Sequence, residues 1–62
     1  MNILRFENET RKAADKIHER AQRSGEEIDY RKAAELYERC GDYKAARVCR
    51  DAAEALSKAE GR

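Results

Sequence analysis

The short stretch Gly41-Asp42-Tyr43 constrains the fold more than any other, because it separates two runs that both favour helix. The run before it reads AAELYERC and the run after it begins KAARVC. Glycine adopts the left-handed backbone conformation that ends a helix, and aspartate caps the start of the next one. The sequence therefore predicts an αα-hairpin, with helices over residues 27–39 and 43–59.

A further helix is predicted ahead of the hairpin, over residues 9–24. Its start is expected at a capping residue, either Asn8 or Thr10. Its inner face is predicted from apolar residues that recur at helical spacing, namely Phe6, Ala13, Ala14, Ile17 and Ala21. The fold class is thus all-α, a small three-helix domain built on an αα-hairpin and occupying residues 1–62.

Two interpretations are open for the junction of the first two helices. Gly25 is expected to end the first helix, with Ser24 and Glu27 forming a capping box for the second. The alternative is one helix that continues through Gly25 at a cost of about 1 kcal/mol. We favour the bend.

The last helix carries two adjacent apolar stripes, which is wide enough to contact two neighbours. It is expected to pack against both other helices, or against one helix and a partner. The first stripe is Ala46, Cys49, Ala53 and Leu56, and the second is Ala45, Val48, Ala52, Ala55 and Ala59.

The composition limits the size of the core. The chain has 62 residues, of which 44% are charged, yet its net charge is only +1. The balanced signs and the absence of proline favour helix over a disordered tail. Alanine supplies much of the apolar content and buries little area, so a partner or a second copy is expected to add stability. No apolar run is long enough for a membrane span, which favours the cytoplasm and reduced thiols at Cys40 and Cys49.

An enzyme is not expected, because no nucleophile, orienting partner and pocket come together in the sequence. His18 is the single histidine, and its helical phase relative to Ile17 and Ala21 predicts a solvated position. Two cysteines without nearby histidines make a poor zinc site. No metal or cofactor is therefore predicted.

Residues 30–53 resemble one tetratricopeptide-type repeat, a pair of packed helices. The matching positions are Tyr30, Ala33, Ala34 and Tyr37 on the first helix, Gly41 and Tyr43 at the turn, and Ala46 and Ala53 on the second helix. Arg50 and Lys58 stand where that family commonly has an aromatic residue and a proline. The resemblance implies a hairpin whose faces are buried by neighbouring helices.

Residues 33–46 also resemble the core of small bacterial and phage regulators of the ANR and PerC types. The shared positions are Ala33, Ala34, Glu35, Gly41, Tyr43 and Ala46. The tryptophan that follows the tyrosine in those proteins is missing here. The resemblance implies control of transcription, in the ANR case by binding activator proteins.

The predicted function is that of a small regulator or adaptor that binds an as yet unidentified protein. The expected partner-binding residues are the aromatic Phe6, Tyr30 and Tyr43. The first alternative is nucleic-acid binding through a row of cations on the first helix, Lys12, Lys16, Arg20 and Arg23. The second alternative is a structural homo-oligomer.

Overall fold

Three α-helices make up almost all of the chain in this computed structural model, which describes the backbone of residues 2–59 and the side chains of residues 8–59. The helices are α1 (Asn2–Ser24), α2 (Glu27–Arg39) and α3 (Tyr43–Ala59). No strand occurs within residues 2–59. The all-α fold class predicted from the sequence is confirmed, and α2 and α3 have the expected bounds.

The predicted start of α1 at Glu9 is wrong, because the helix begins seven residues earlier, at Asn2. Neither Asn8 nor Thr10 is a cap; both lie inside the helix. Residues 2–7 contain no glycine or proline, so nothing in the backbone stops the helix there. An asparagine or threonine inside a helix costs only about 0.7 kcal/mol or less. The side chain of Phe6 lies outside the described residues.

The α2–α3 turn has the geometry that the sequence predicts. Gly41 has a φ of 83°. The Asp42 N–H donates to the Tyr37 carbonyl at 2.9 Å and the Gly41 N–H donates to the Glu38 carbonyl at 3.1 Å. These two bonds form a Schellman motif. Asp42 Oδ1 then accepts the Ala45 N–H at 3.3 Å, which caps α3. The break at Gly41-Asp42 is confirmed.

The bend at Gly25 is also confirmed, whereas the capping box is wrong. Gly25 has a φ of 68°, and its N–H donates to the Ala21 carbonyl at 2.7 Å. The N-cap of α2 is Glu26, without a side-chain capping bond. Ser24 remains the last residue of α1, so its hydroxyl accepts the Glu26 N–H at 3.2 Å and donates to Asp29 at 2.8 Å.

The central helix of the arrangement is α2, which packs against both α1 and α3. The two outer helices touch each other only marginally. The extents along the principal axes are 46 × 19 × 12 Å, so the helices form a long, thin layer. The sequence left open whether α3 packs against both other helices or against one helix and a partner. In the structure α3 packs mainly against α2.

The core is narrow and consists mostly of alanine. Among the side chains of residues 8–59, Tyr37 is the one large member, and the buried set is Ala14, Ala21, Ala33, Ala34, Tyr37, Cys40, Ala46, Cys49 and Ala53. The first stripe of α3 supplies Ala46, Cys49 and Ala53. In contrast, Ala13 of the predicted α1 face is exposed. Small side chains let the helices approach closely but bury little area each.

Replacing Ala46 or Ala53 by leucine is expected to lower the free energy of unfolding by about 1–3 kcal/mol, because both sites are closely packed. Their exposed fractions are 1% and 0%. Ala55→Leu is the matched control, since Ala55 lies on the same helix and is exposed. Urea unfolding followed by circular dichroism measures the difference. Equal values at the three positions would contradict this contact face.

Replacing Gly41 by alanine is expected to lower the free energy of unfolding by about 1–2 kcal/mol, because an L-residue with a side chain disfavours the left-handed region. A Cβ atom at Gly41 would meet no atom within 4 Å, so the cost comes from the backbone alone. Gly41→Asn is expected to lose less, since asparagine tolerates this conformation. The same urea titration measures both variants. A Gly41→Ala variant with the free energy of unfolding of wild type would contradict the turn geometry.

Candidate partner-binding surfaces

Tyr37 lies where α1 meets the hairpin. Its side chain is 4% exposed, and its hydroxyl donates a hydrogen bond to the carboxylate of Asp15 on α1. Burial, reinforced by this hydrogen bond and by the Asp15 charge, raises the pKa of Tyr37 well above the usual tyrosine range. The contact therefore holds α1 against α2 at one defined rotation.

His18 is not the solvated residue that the sequence predicts. It is half-buried, and its ring packs edge-on against two tyrosines, with centroid distances of 6.0 Å to Tyr30 and 6.1 Å to Tyr37. The helical phase of Ile17 is a poor guide, because Ile17 lies at the edge of the buried face. The buried alanines at 14 and 21 place residue 18 between them at spacings of four and three, and this signal would have placed His18 on the inner face of α1.

The three predicted partner-binding aromatic residues do not form one cluster. Tyr30 is half-buried and packs edge-on against His18, so it belongs partly to the packing. Tyr43 is 69% exposed and begins α3 beside the turn. Tyr30 lies ten residues before Cys40 at the end of α2, which is about 15 Å along the helix axis from the turn.

The backbone of Phe6 lies at the same end of the layer as Tyr43. Arg11 of α1 forms an ion pair with Asp42 of the turn at 3.8 Å, which places residue 11 beside the end of α2. The preceding part of α1, from Asn2 to Thr10, extends about 13 Å past the turn. The fold thus brings the positions of Phe6 and Tyr43 to one end and leaves Tyr30 towards the other.

Much of the second apolar stripe of α3 faces outward, although Ala45 packs against the core. Val48 is 57% exposed, Ala55 is exposed, and Ala45 and Ala52 are half-buried. Ile28, at the start of α2, is exposed by 59%. Large apolar side chains are therefore accessible on both helices of the hairpin.

The predicted basic row forms a continuous strip on α1. All four of its side chains, Lys12, Lys16, Arg20 and Arg23, are exposed, and none of them takes part in an ion pair with another described residue. The neighbouring Arg11 differs from these four residues, because it is paired with Asp42. A contact with Cys40 and the charge of Asp42 raise the pKa of Arg11. The strip consequently stays available to an anionic partner.

The open groove between α2 and α3 is lined by Arg31, Ala34, Glu35, Glu38 and Arg50. Its two arginines already have partners. Arg31 pairs with Glu27 at 2.7 Å, and Arg50 pairs with Glu38. Such exposed pairs contribute about 0–1 kcal/mol each. The groove is therefore a solvated network of mixed charge.

The two cysteines are free and buried. Burial raises the pKa of Cys49, so its thiol is held in the unreactive protonated form. The Cys40 thiol donates to the Tyr37 carbonyl at 3.3 Å. Within the described part of the chain no group of three His, Cys, Asp or Glu side chains is placed to hold a metal ion, and no helix there is long and apolar enough to cross a membrane.

Comparison with protein-family models, with curated proteins and with solved structures found no match for this chain. The resemblances to a tetratricopeptide repeat and to the ANR and PerC regulators therefore stay predictions from the sequence.

Replacing Tyr37 by phenylalanine is expected to lower the free energy of unfolding by about 0.5–1.5 kcal/mol at neutral pH, because the bond to Asp15 is lost while exposed Asp15 regains water. Tyr43→Phe is the control, since Tyr43 is exposed. Folded Tyr37 keeps its proton to higher pH than the unfolded chain does. Its stabilising effect is thus complete below the ordinary tyrosine pKa of about 10 and is lost as the pH rises above it.

Urea titrations between about pH 9 and pH 11 check the sign of this effect. Wild type is expected to lose stability more steeply than Tyr37→Phe over that range. Parallel curves for the two proteins would contradict the raised pKa.

Proposed function

We propose that this protein is a small, non-enzymatic regulator or adaptor that acts in the cytoplasm by binding another protein. The observation that carries the proposal is the exposure of large apolar side chains on both helices of the hairpin. Tyr43, Ile28 and Val48 are exposed by 69%, 59% and 57%. Tyrosine is one of the usual anchors of protein–protein interfaces, and the side chains around such an anchor help to exclude water.

Single exposed apolar residues are common and need no explanation. Here they accompany a core in which, within residues 8–59, the largest fully buried side chain is that of Cys49. A core of this kind supplies little burial energy for a domain near the lower size limit. A bound partner that covers the exposed side chains stabilises the folded state by mass action. The exposed surface and the small core therefore support the same proposal.

The end of the layer beside the α2–α3 turn is the proposed contact point. Tyr43 offers an accessible ring there, on a backbone fixed by the Schellman motif at Gly41. The α1 backbone at Phe6 extends past the same turn. Binding would act by covering or stabilising a surface of the partner. The resemblance to ANR and PerC proteins adds a bacterial, plasmid or phage origin and a transcription activator as partner.

Tyr43→Ala is expected to weaken binding of the partner protein by about 2 kcal/mol or more, because a truncated aromatic anchor commonly costs this much. The experiment captures proteins from a bacterial lysate on the immobilised chain and then measures the affinity of the recovered protein by calorimetry. Arg47→Ala, another exposed position of α3, is the control and is expected to leave the affinity unchanged. Phe6→Ala tests the other residue at this end.

The affinity of Tyr30→Ala is interpreted together with the urea unfolding curve of the same variant. Tyr30 also packs against His18, so its loss can affect folding as well as binding. Binding is expected to change little with salt, since the charges of the chain nearly balance. A captured protein that binds wild type and Tyr43→Ala equally would contradict the proposed contact point. A mass that rises with concentration, with no protein captured, would favour the homo-oligomer instead.

A further inference from the structure

We propose that the outer face of α1 is a second binding surface, which contacts the phosphate backbone of duplex nucleic acid through Lys12, Lys16, Arg20 and Arg23. This surface is separate from the one proposed for a protein partner. It lies on the first helix of the layer, whereas Tyr43 and Val48 lie on the last.

The spacing of the four cations makes the row straight and long. Successive members are four, four and three residues apart, so they follow one another at about 6, 6 and 4.5 Å along the helix axis. Duplex DNA carries one negative charge for about every 1.7 Å of its axis. A row about 16 Å long can therefore meet several phosphates at once.

The packing of α1 turns this row outward. Ala14 and Ala21 are fully buried and mark the inner face of the helix, against α2. The row lies on the other side of α1, where its side chains are exposed. Since α1 makes only marginal contact with α3, the helices of the layer leave this face open to a rod-shaped partner.

The acidic residues of α1 weaken the row less than their number suggests. Asp15 is engaged by the hydroxyl of Tyr37, which draws its carboxylate towards the hairpin. Glu9 and Glu19 are exposed beside the row but form no ion pair with it among the described side chains. Asp15 keeps its charge, but four cations against these three carboxylates still leave the strip net positive.

The side chains around the row favour contact with phosphates over contact with bases. Single-stranded nucleic acid is usually held by aromatic side chains that stack on the bases, but the described part of α1 offers only His18, which packs against Tyr30 and Tyr37. Base reading in a groove uses amide and arginine side chains in a fixed arrangement. Gln22 is the one amide near the row within residues 9–24, and Arg20 and Arg23 lie in line with the two lysines, an arrangement that suits a line of phosphates. The proposed contact is therefore independent of sequence.

The test measures binding of a fluorescently labelled DNA duplex by anisotropy at several salt concentrations. Four phosphate contacts predict a slope of log K against log salt of about −3.6, which is roughly a 150-fold loss of affinity between 50 and 200 mM salt. Two duplexes of different sequence are expected to bind equally. A duplex that does not bind at 50 mM salt would overturn the proposal.

A pair of matched variants separates the row from the general charge of the protein. Lys16→Gln with Arg20→Gln is expected to reduce the magnitude of the salt slope by about 2. Lys44→Gln with Arg47→Gln removes the same charges from exposed positions of α3 and is expected to leave the slope unchanged. Equal effects of the two variants would overturn the proposal, since they would show attraction without a site.

Two further measurements separate the row from the protein-binding surface and from a membrane contact. Tyr43→Ala is expected to bind the duplex with the affinity of wild type, whether or not it still binds a protein partner. The result for the basic row is therefore independent of the result for the proposed protein-binding surface. Vesicles of anionic lipid are expected to bind more weakly than the duplex. Tighter binding to vesicles, lost in the Lys16→Gln and Arg20→Gln variant, would assign the row to a membrane surface and overturn the proposal.

Discussion

The packing of one aromatic ring among alanines controls the arrangement of the three helices. Tyr37 belongs to a buried cluster that includes Ala14 of α1 and Cys49 of α3. An aromatic side chain buries about 150–250 Å², far more than an alanine can. Its hydroxyl reaches Asp15, at the edge of the core, so burial of the ring leaves no polar atom without a partner. Tyr37 thereby determines which face of α1 turns inward, and so which face carries its cations outward.

The alanine core explains why the molecule is a thin layer rather than a closed bundle. Helices that meet through alanine lie close together, and α2 has small or aromatic residues towards both neighbours. The outer helices are then held by α2 alone, and their outer faces stay open. On α1 the open face is basic, and on α3 it carries Val48 and the exposed alanines. The two proposed binding surfaces are thus consequences of the same packing.

The parts of this fold that depend on local chemistry could be predicted from the sequence. Gly41 and Asp42 act within one turn of helix, so their residue types suffice to place the break, and the same holds for Gly25. The start of α1 could not be placed in this way, because Asn8 and Thr10 are good caps and also tolerable helix residues. The contact of His18 with Tyr30 and Tyr37 depends on the rotation of α1 against α2. That rotation is set by the tertiary packing of Tyr37, and no single helix encodes it.

The outer stripe of α3 shows a related limit. Periodicity predicted the width of its apolar face, and the buried Ala46, Cys49 and Ala53 account for one half of that face. The other half, with Val48, would be covered in a three-helix bundle whose outer helices meet. Here α1 and α3 both pack on α2 and touch each other only marginally, so Val48 stays exposed. The same apolar stripe would be buried in a closed three-helix bundle and is accessible in this open layer. Burial of that surface by a partner would then add to the stability of a chain whose own core is small, which couples binding to folding.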